Sequence, residues 1–83
     1  MIPARDELIA QLRTMYAQAL EFPVEVVTAD VDLEAELGLD SLQNTMVLAL
    51  ATDRWRLPSS LGAQEPPTPL TVEAVADRIL RSS

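Results

Sequence analysis

A serine at the start of an apolar segment is the main candidate for chemistry in this chain. Ser41 stands between Asp40 and Leu42. Asp40 is a typical N-cap residue, and Gln43, three positions later, completes a capping-box pattern. Ser41 would then be the first residue of a helix, with its hydroxyl in solvent at the positive end of the helix dipole. This position favours an attached phosphate, because free N–H groups and the dipole both stabilise negative charge.

Most other kinds of catalytic or metal site lack the residues that they need. The chain contains no His and no Cys, which excludes Ser-His-Asp hydrolysis, thiol catalysis and thiolate metal sites. The alternating acids that begin at Asp30 resemble a calcium loop, but its sixth position is Ala35 rather than Gly and its twelfth is Ser41 rather than Glu. We therefore predict no catalytic residue and no metal ligand.

Length and charge narrow the class of protein. The 83 residues predict one domain, residues 1–83, with a net charge of −7. No basic residue lies between Arg13 and Arg54, whereas this interval contains several acids. The surface that it forms should therefore repel nucleic acid and anionic lipid. No leader peptide is recognisable, and the longest apolar run, residues 46–51, is too short to cross a bilayer. We expect a cytoplasmic protein without nucleic-acid or membrane partners.

The elements that would position Ser41 are predicted to be helices. The first should begin near Pro3 and end at or before Phe22, since Pro23 disfavours helical geometry in the residue before it. A long ordered loop over residues 21–40 should follow, with one short helical turn and a positive φ at Gly38. The buried stripe of the first helix is predicted from apolar residues at three- and four-residue steps: Leu8, Leu12, Met15, Tyr16 and Ala19. Apolar residues of the loop should attach it to the core: Val24, Val26 or Val27, Leu33 and Leu37.

The second helix should run from Ser41 to Trp55 or Arg56, before Pro58. Its apolar content fits a central, mostly covered helix and also an apolar docking surface beside Ser41, and both can hold at once. The face predicted to pack on the core contains Val47, Leu50, Ala51 and the stem of Arg54. The face predicted to be partly exposed contains Leu42, Met46 and Ala49.

A Pro-rich connection over residues 56–71 leads to the last helix, with a short third helix predicted near the end of that connection. Thr71 should cap the last helix. The predicted fold is all-α: a small antiparallel four-helix bundle, three main helices plus a short third one, with a long loop between the first two. The buried stripe predicted for the last helix contains Val72, Val75, Ala76, Ile79 and Leu80.

Residues 34–42, placed mid-chain in a small acidic helical protein, resemble the acyl carrier protein family, in which the serine of a Gly-x-Asp-Ser-Leu motif carries 4'-phosphopantetheine. The resemblance implies that a phosphopantetheinyl transferase joins this group from coenzyme A to Ser41, with Asp40 and Leu42 as the recognition flank. It also implies a monomeric, non-catalytic carrier that holds acyl groups as thioesters. Its other partners would be an acyltransferase and ketosynthase, or an acyl-loading ligase.

One departure from the family concerns the second helix, where members often carry several acids. Here Asp53 is the only acid between Leu42 and Trp55. We therefore expect partners to contact this helix through apolar and hydrogen-bonding groups, with the acidic loop steering their approach. The expected contact residues are Leu39, Gln43, Thr45, Met46 and Ala49.

The pathway is indicated by two further segments, residues 57–61 and 67–69, which look like the same region of polyketide synthase carriers. Peptidyl carriers more often have Gly-Gly-(His or Asp)-Ser at the serine, which differs from residues 38–41 here. A polyketide-type carrier is therefore favoured, either free-standing or part of a larger synthase. Two alternatives stay open: an aminoacyl or peptidyl carrier of a nonribosomal pathway, and a small helical interaction module that is never modified.

Overall fold

The computed structural model describes residues 1–82 and is all-helical over that range, as predicted. It contains four α-helices, α1 (Arg5–Leu20), α2 (Ser41–Trp55), α3 (Ser60–Ala63) and α4 (Val72–Ser82), and a 3₁₀ turn at Val24–Val26. α1 packs against both α2 and α4, and α3 packs against α2. Among residues 1–82, no helix has the length and apolarity needed to cross a bilayer.

α1 begins at Arg5, two residues later than predicted, and ends at Leu20, before Phe22 as expected. Glu21 ends the helix in a left-handed conformation with φ of 59°. Its buried face differs from the prediction at one position, because Ala17 is buried whereas Ala19 is half-buried at the edge of the core. The buried side chains are Leu8, Leu12, Met15, Tyr16 and Ala17.

The long loop is fixed to the core at several points, as the apolar spacing predicted. Val27 and Leu33 are fully buried. Of the two alternatives predicted, Val26 and Val27, it is Val27 that packs in the core, because Val26 is exposed. The Arg13 guanidinium donates to the carbonyls of Val24 and Val27, at 3.0 and 2.6 Å. Gly38 has the predicted positive φ, 74°. The loop is therefore ordered despite its length.

α2 has the predicted bounds but a different buried face. Its buried residues are Asn44, Val47, Ala51 and Trp55. Leu50 was expected in the core but is 59% exposed, and Arg54 is also exposed. Leu50 precedes Ala51 by one residue and so lies about 100° around the helix from it, away from the core face.

In the last part of the chain, the position of α3 differs from the prediction, whereas the predicted cap of α4 is confirmed. α3 lies near the start of the Pro-rich connection rather than near its end, and Leu61 anchors it in the core. The Thr71 hydroxyl accepts a hydrogen bond from the Ala74 N–H at 3.1 Å, which confirms the predicted cap of α4. The buried stripe of α4 is as predicted except that Leu80 is half-buried: Val72, Val75, Ala76 and Ile79.

Candidate functional site

The start of α2 has the predicted capping box. The Asp40 carboxylate accepts a hydrogen bond from the Gln43 N–H at 2.7 Å, and the Gln43 side-chain oxygen accepts one from the Asp40 N–H at 3.0 Å. Asp40 itself is extended, with φ of −97° and ψ of 171°, so the helix begins at Ser41. This reciprocal pair satisfies two of the backbone donors that a helix start leaves without intrahelical partners.

Ser41 is exposed at the first position of α2, as the sequence predicted. Within residues 1–82, the N–H groups of Ser41 and Leu42 donate to no protein acceptor. Both donors lie in the first turn, where the helix dipole is positive. An exposed hydroxyl, two free donors and a favourable dipole together fit a phosphodiester at this position.

The first turn of α2 is also attached to the end of α1. The Gln43 side-chain nitrogen donates to the Ala19 carbonyl at 3.3 Å. One residue further, the Tyr16 hydroxyl donates to the Asn44 side-chain oxygen at 2.7 Å, and both side chains are buried. Burial raises the pKa of the Tyr16 hydroxyl, so it remains a neutral donor. With Arg54 donating to Gln11 at the other end of α2, these contacts show that α1 and α2 run antiparallel.

Asn44 and Tyr16 were not predicted as part of the site. Asn44 lies three residues before the buried Val47 and seven before the buried Ala51, so its position on the core face follows from helical spacing. A polar residue on such a face needs a hydrogen-bond partner. That signal was present in the sequence, but it did not identify Tyr16 as the partner.

An apolar stripe extends from Ser41 along the solvent side of α2. We define the stripe as Leu42, Met46 and Leu50, which follow one another at four-residue intervals and are 68, 55 and 59% exposed. Thr45 and Ala49, two other predicted contact residues, are exposed beside it. A partner that reaches Ser41 from this side would meet the stripe.

Leu39 does not belong to this surface. Its side chain is only 4% exposed and lies in the hydrophobic core, so the expectation that it contacts a partner is corrected. Its N–H donates to the Leu33 carbonyl at 2.9 Å, which holds the residue against the buried part of the loop. Gln43, in contrast, is half-buried, with both ends of its amide in the hydrogen bonds described above.

Spaces adjoin α2 on the sides that face α3 and α4. An open groove of about 350 Å³ lies between α2 and α3, lined in part by Thr45, Leu48 and Ala49. A smaller cavity of about 20 Å³ lies between α2 and α4, and Asn44 and Ile79 are among its lining residues. A space of that size has room for about one water molecule. The interior beside Asn44 is therefore closely packed in this conformation.

Comparison with known proteins gives the family. Residues 10–60 match the family described as the phosphopantetheine attachment site, which covers more than half of the chain, so the chain belongs to that family. It is a phosphopantetheine carrier, and its prosthetic group is 4'-phosphopantetheine. Such domains are in general non-catalytic and interact with a phosphopantetheinyl transferase and with biosynthetic enzymes. No curated protein and no solved structure matches the chain.

Proposed function

We propose that Ser41 is the attachment residue and that the chain carries acyl intermediates in polyketide-type biosynthesis. The observation that carries the proposal is the position of Ser41: an exposed hydroxyl on the first residue of α2, beside two free backbone donors and inside the matched region. The matched region contains two other serines, but Ser59 precedes α3 and Ser60 begins it, and α3 has only four residues. A helix so short has a much weaker dipole to stabilise an anion.

The modification would use the Ser41 hydroxyl as the nucleophile. Its oxygen forms a bond to the phosphorus that bears the pantetheine arm of coenzyme A, the bond from that phosphorus to 3',5'-ADP breaks, and the hydroxyl proton is released. The chain has no Cys, and the bound group supplies the thiol that carries acyl groups as thioesters. The chain itself contributes the accessible oxygen and the positive end of α2, which stabilises the added negative charge.

The partner surface would consist of the apolar stripe with Thr45 and Ala49 beside it. Along α2 after Ser41, Asp53 is the only acidic residue, so contacts on this face would be apolar or hydrogen-bonding. The exposed acids of the preceding loop, among them Asp30, Glu34 and Glu36, would steer a basic partner toward Ser41. The flank residues Asp40 and Leu42 are both exposed next to Ser41, which suits recognition by the transferase.

Sequence features support the proposed partners, a monomeric state and a cytoplasmic location. Residues 57–61 and 67–69, with their likeness to polyketide carriers, support an acyltransferase and ketosynthase as partners. A net charge of −7 disfavours self-association and supports a monomer. The absence of Cys suits the cytoplasm, where disulfides rarely form.

Intact-mass measurement tests the attachment site. The protein is incubated with coenzyme A and a broad-specificity phosphopantetheinyl transferase, together with Ser41→Ala and the matched control Ser60→Ala. We expect one added phosphopantetheine in the parent chain and in Ser60→Ala, and none in Ser41→Ala. Modification of a correctly folded Ser41→Ala protein would overturn the assignment.

Loading of the modified protein tests the pathway. A malonyl-specific acyltransferase of a polyketide pathway should transfer its acyl group to the carrier, as seen by a further mass increase. If only an aminoacyl-adenylating enzyme loads it, the polyketide assignment is wrong and the chain is an aminoacyl carrier.

A further inference from the structure

We propose that Gln43 and Asn44 are positioning residues that attach the first turn of α2 to α1 and so hold the Ser41 hydroxyl where the transferase can use it. Two adjacent amide side chains make this attachment, the half-buried Gln43 and the buried Asn44. The inference rests on the proposed function, because it assumes that Ser41 is the residue modified.

The Gln43 amide joins two helix ends at once. Its oxygen accepts from the Asp40 N–H at the start of α2, and its nitrogen donates to the Ala19 carbonyl at the end of α1. Because α1 ends at Leu20, the Ala19 carbonyl is one of the last four that no intrahelical N–H can reach. One side chain therefore satisfies a free donor of one helix and a free acceptor of the other.

The Asn44 amide makes the second attachment, inside the core. Its oxygen accepts from the Tyr16 hydroxyl at 2.7 Å, and the exposed fractions of Asn44 and Tyr16 are 7% and 0%. A buried hydrogen bond of this kind permits few alternative orientations, because every rotation of α2 would leave a buried polar group unpaired. The pair thus fixes the rotation of α2 about its own axis.

The start of α2 needs such attachments because its outer side has no support. Asp40, Ser41 and Leu42 are all exposed, and helix ends tend to fray. If the attachments are lost, only a fraction of molecules will present Ser41 in the conformation that the transferase binds. The apparent affinity of the transferase for the protein is then multiplied by that fraction, while catalysis in the bound complex is unchanged.

The first test removes the Gln43 attachment without removing the cap. Gln43→Glu keeps an oxygen that can accept from the Asp40 N–H but loses the nitrogen that donates to Ala19. We expect the KM of the transferase for this variant to rise about three- to tenfold with kcat unchanged. Thr71→Ala, which removes the cap of α4, is the matched control and should leave KM unchanged.

The second test separates positioning from stability in the core pair. Tyr16→Phe and Asn44→Leu should each lower the thermal midpoint, because each leaves a buried polar group unpaired. The double variant replaces both partners by apolar groups and should recover much of the midpoint. Its KM should nevertheless stay raised, since the directional contact is still missing. Recovery of both quantities would show that the pair acts through stability alone.

A measurement on the unmodified protein keeps this inference distinct from the proposed function. Amide hydrogen exchange, followed by NMR, should be faster in Gln43→Glu than in the parent chain at Asn44 and Thr45. At residues of α4 the exchange rates of the two proteins should be the same. A normal KM with unchanged exchange would overturn the positioning role, even if Ser41 is modified. If Ser41→Ala is still modified, the attachment site is wrong, whereas faster exchange in Gln43→Glu would still establish the attachment of α2 to α1.

Discussion

The starts of α2 and α4 use the same capping chemistry in opposite surroundings. Asp40 caps α2 and Thr71 caps α4, each by accepting a hydrogen bond from the N–H three residues later. The first helical residue is the exposed Ser41 in one case and the fully buried Val72 in the other. The backbone N–H of the second helical residue also differs between the two helices. In α4 the Glu73 N–H donates to the Ala29 carbonyl, whereas in α2 the Leu42 N–H has no protein partner within residues 1–82.

The difference shows that a capping pattern alone does not define a site. At α4 the loop covers the helix start and uses one of its donors, so the cap serves only the fold. At α2 the cap orients a helix start that stays open to solvent, with a hydroxyl at its first position. A phosphate-bearing group could be added there without displacing any contact of the folded chain.

The largest expected effect comes from moving the hydroxyl by one residue. In the double variant Ser41→Ala with Leu42→Ser, the new hydroxyl is still exposed in the first turn but points about 100° away around the helix. We expect modification to fall below detection by intact mass. Leu42→Ser alone, which keeps Ser41, should still be modified, although more slowly, because Leu42 belongs to the proposed recognition flank. Efficient modification of the double variant would mean that any hydroxyl in this turn is sufficient.

The next largest effect concerns the apolar stripe, which α4 lacks at its own start. Met46→Glu places a charge where the partner should bury apolar surface, and desolvation of that charge should lower the kcat/KM of acyl loading about tenfold. Met46→Leu should change it little. If Met46→Glu is loaded at the full rate by its cognate enzyme, the stripe is not part of the interface.

A smaller effect separates the two caps. Asp40→Ala and Thr71→Ala should each lower the free energy of unfolding by about 1 kcal/mol, as measured by urea denaturation. Only Asp40→Ala should also slow modification of Ser41, because it frees the first turn of α2. Equal slowing in both variants would indicate that the transferase responds to overall stability instead.

The smallest effect is an alkaline loss of stability that depends on Tyr16. Burial raises the pKa of Tyr16 in the folded state, whereas the unfolded chain loses this proton near pH 10. Stability should therefore be constant up to about pH 9 and fall above it, by about 0.8 kcal/mol at pH 10.5. The chain has one Tyr, no Lys and no Cys, so Tyr16→Phe should abolish this fall in thermal denaturation. A fall that persists in the variant would have another cause.

Local rules predicted the fold and the capped serine well. The caps at Asp40 and Thr71 depend on residues a few positions apart, and the bounds of α2 follow from the capping box and from Pro58. Leu50 and Asn44 show where such rules fail. The predicted core face was drawn through Leu50, although the spacing from Val47 to Trp55 puts Asn44 on the buried face instead.

Contacts between distant segments could not be predicted from the sequence. Tyr16 and Asn44 are 28 residues apart, and nothing in either neighbourhood indicates the other. The burial of Leu39 likewise depends on how the long loop folds back on the core, since its N–H bonds to the Leu33 carbonyl. These features depend on how the helices and loop pack together, which periodicity does not specify.

The most direct test of the central claim is to locate the modification by tandem mass spectrometry of a peptide that spans residues 37–46. The chain is modified with coenzyme A and a phosphopantetheinyl transferase and then digested. We predict a single phosphopantetheine on Ser41, with Thr45 in the same peptide unmodified. Attachment at Thr45, Ser59 or Ser60, or an unmodified peptide from folded protein, would contradict the claim that the exposed first residue of α2 is the site.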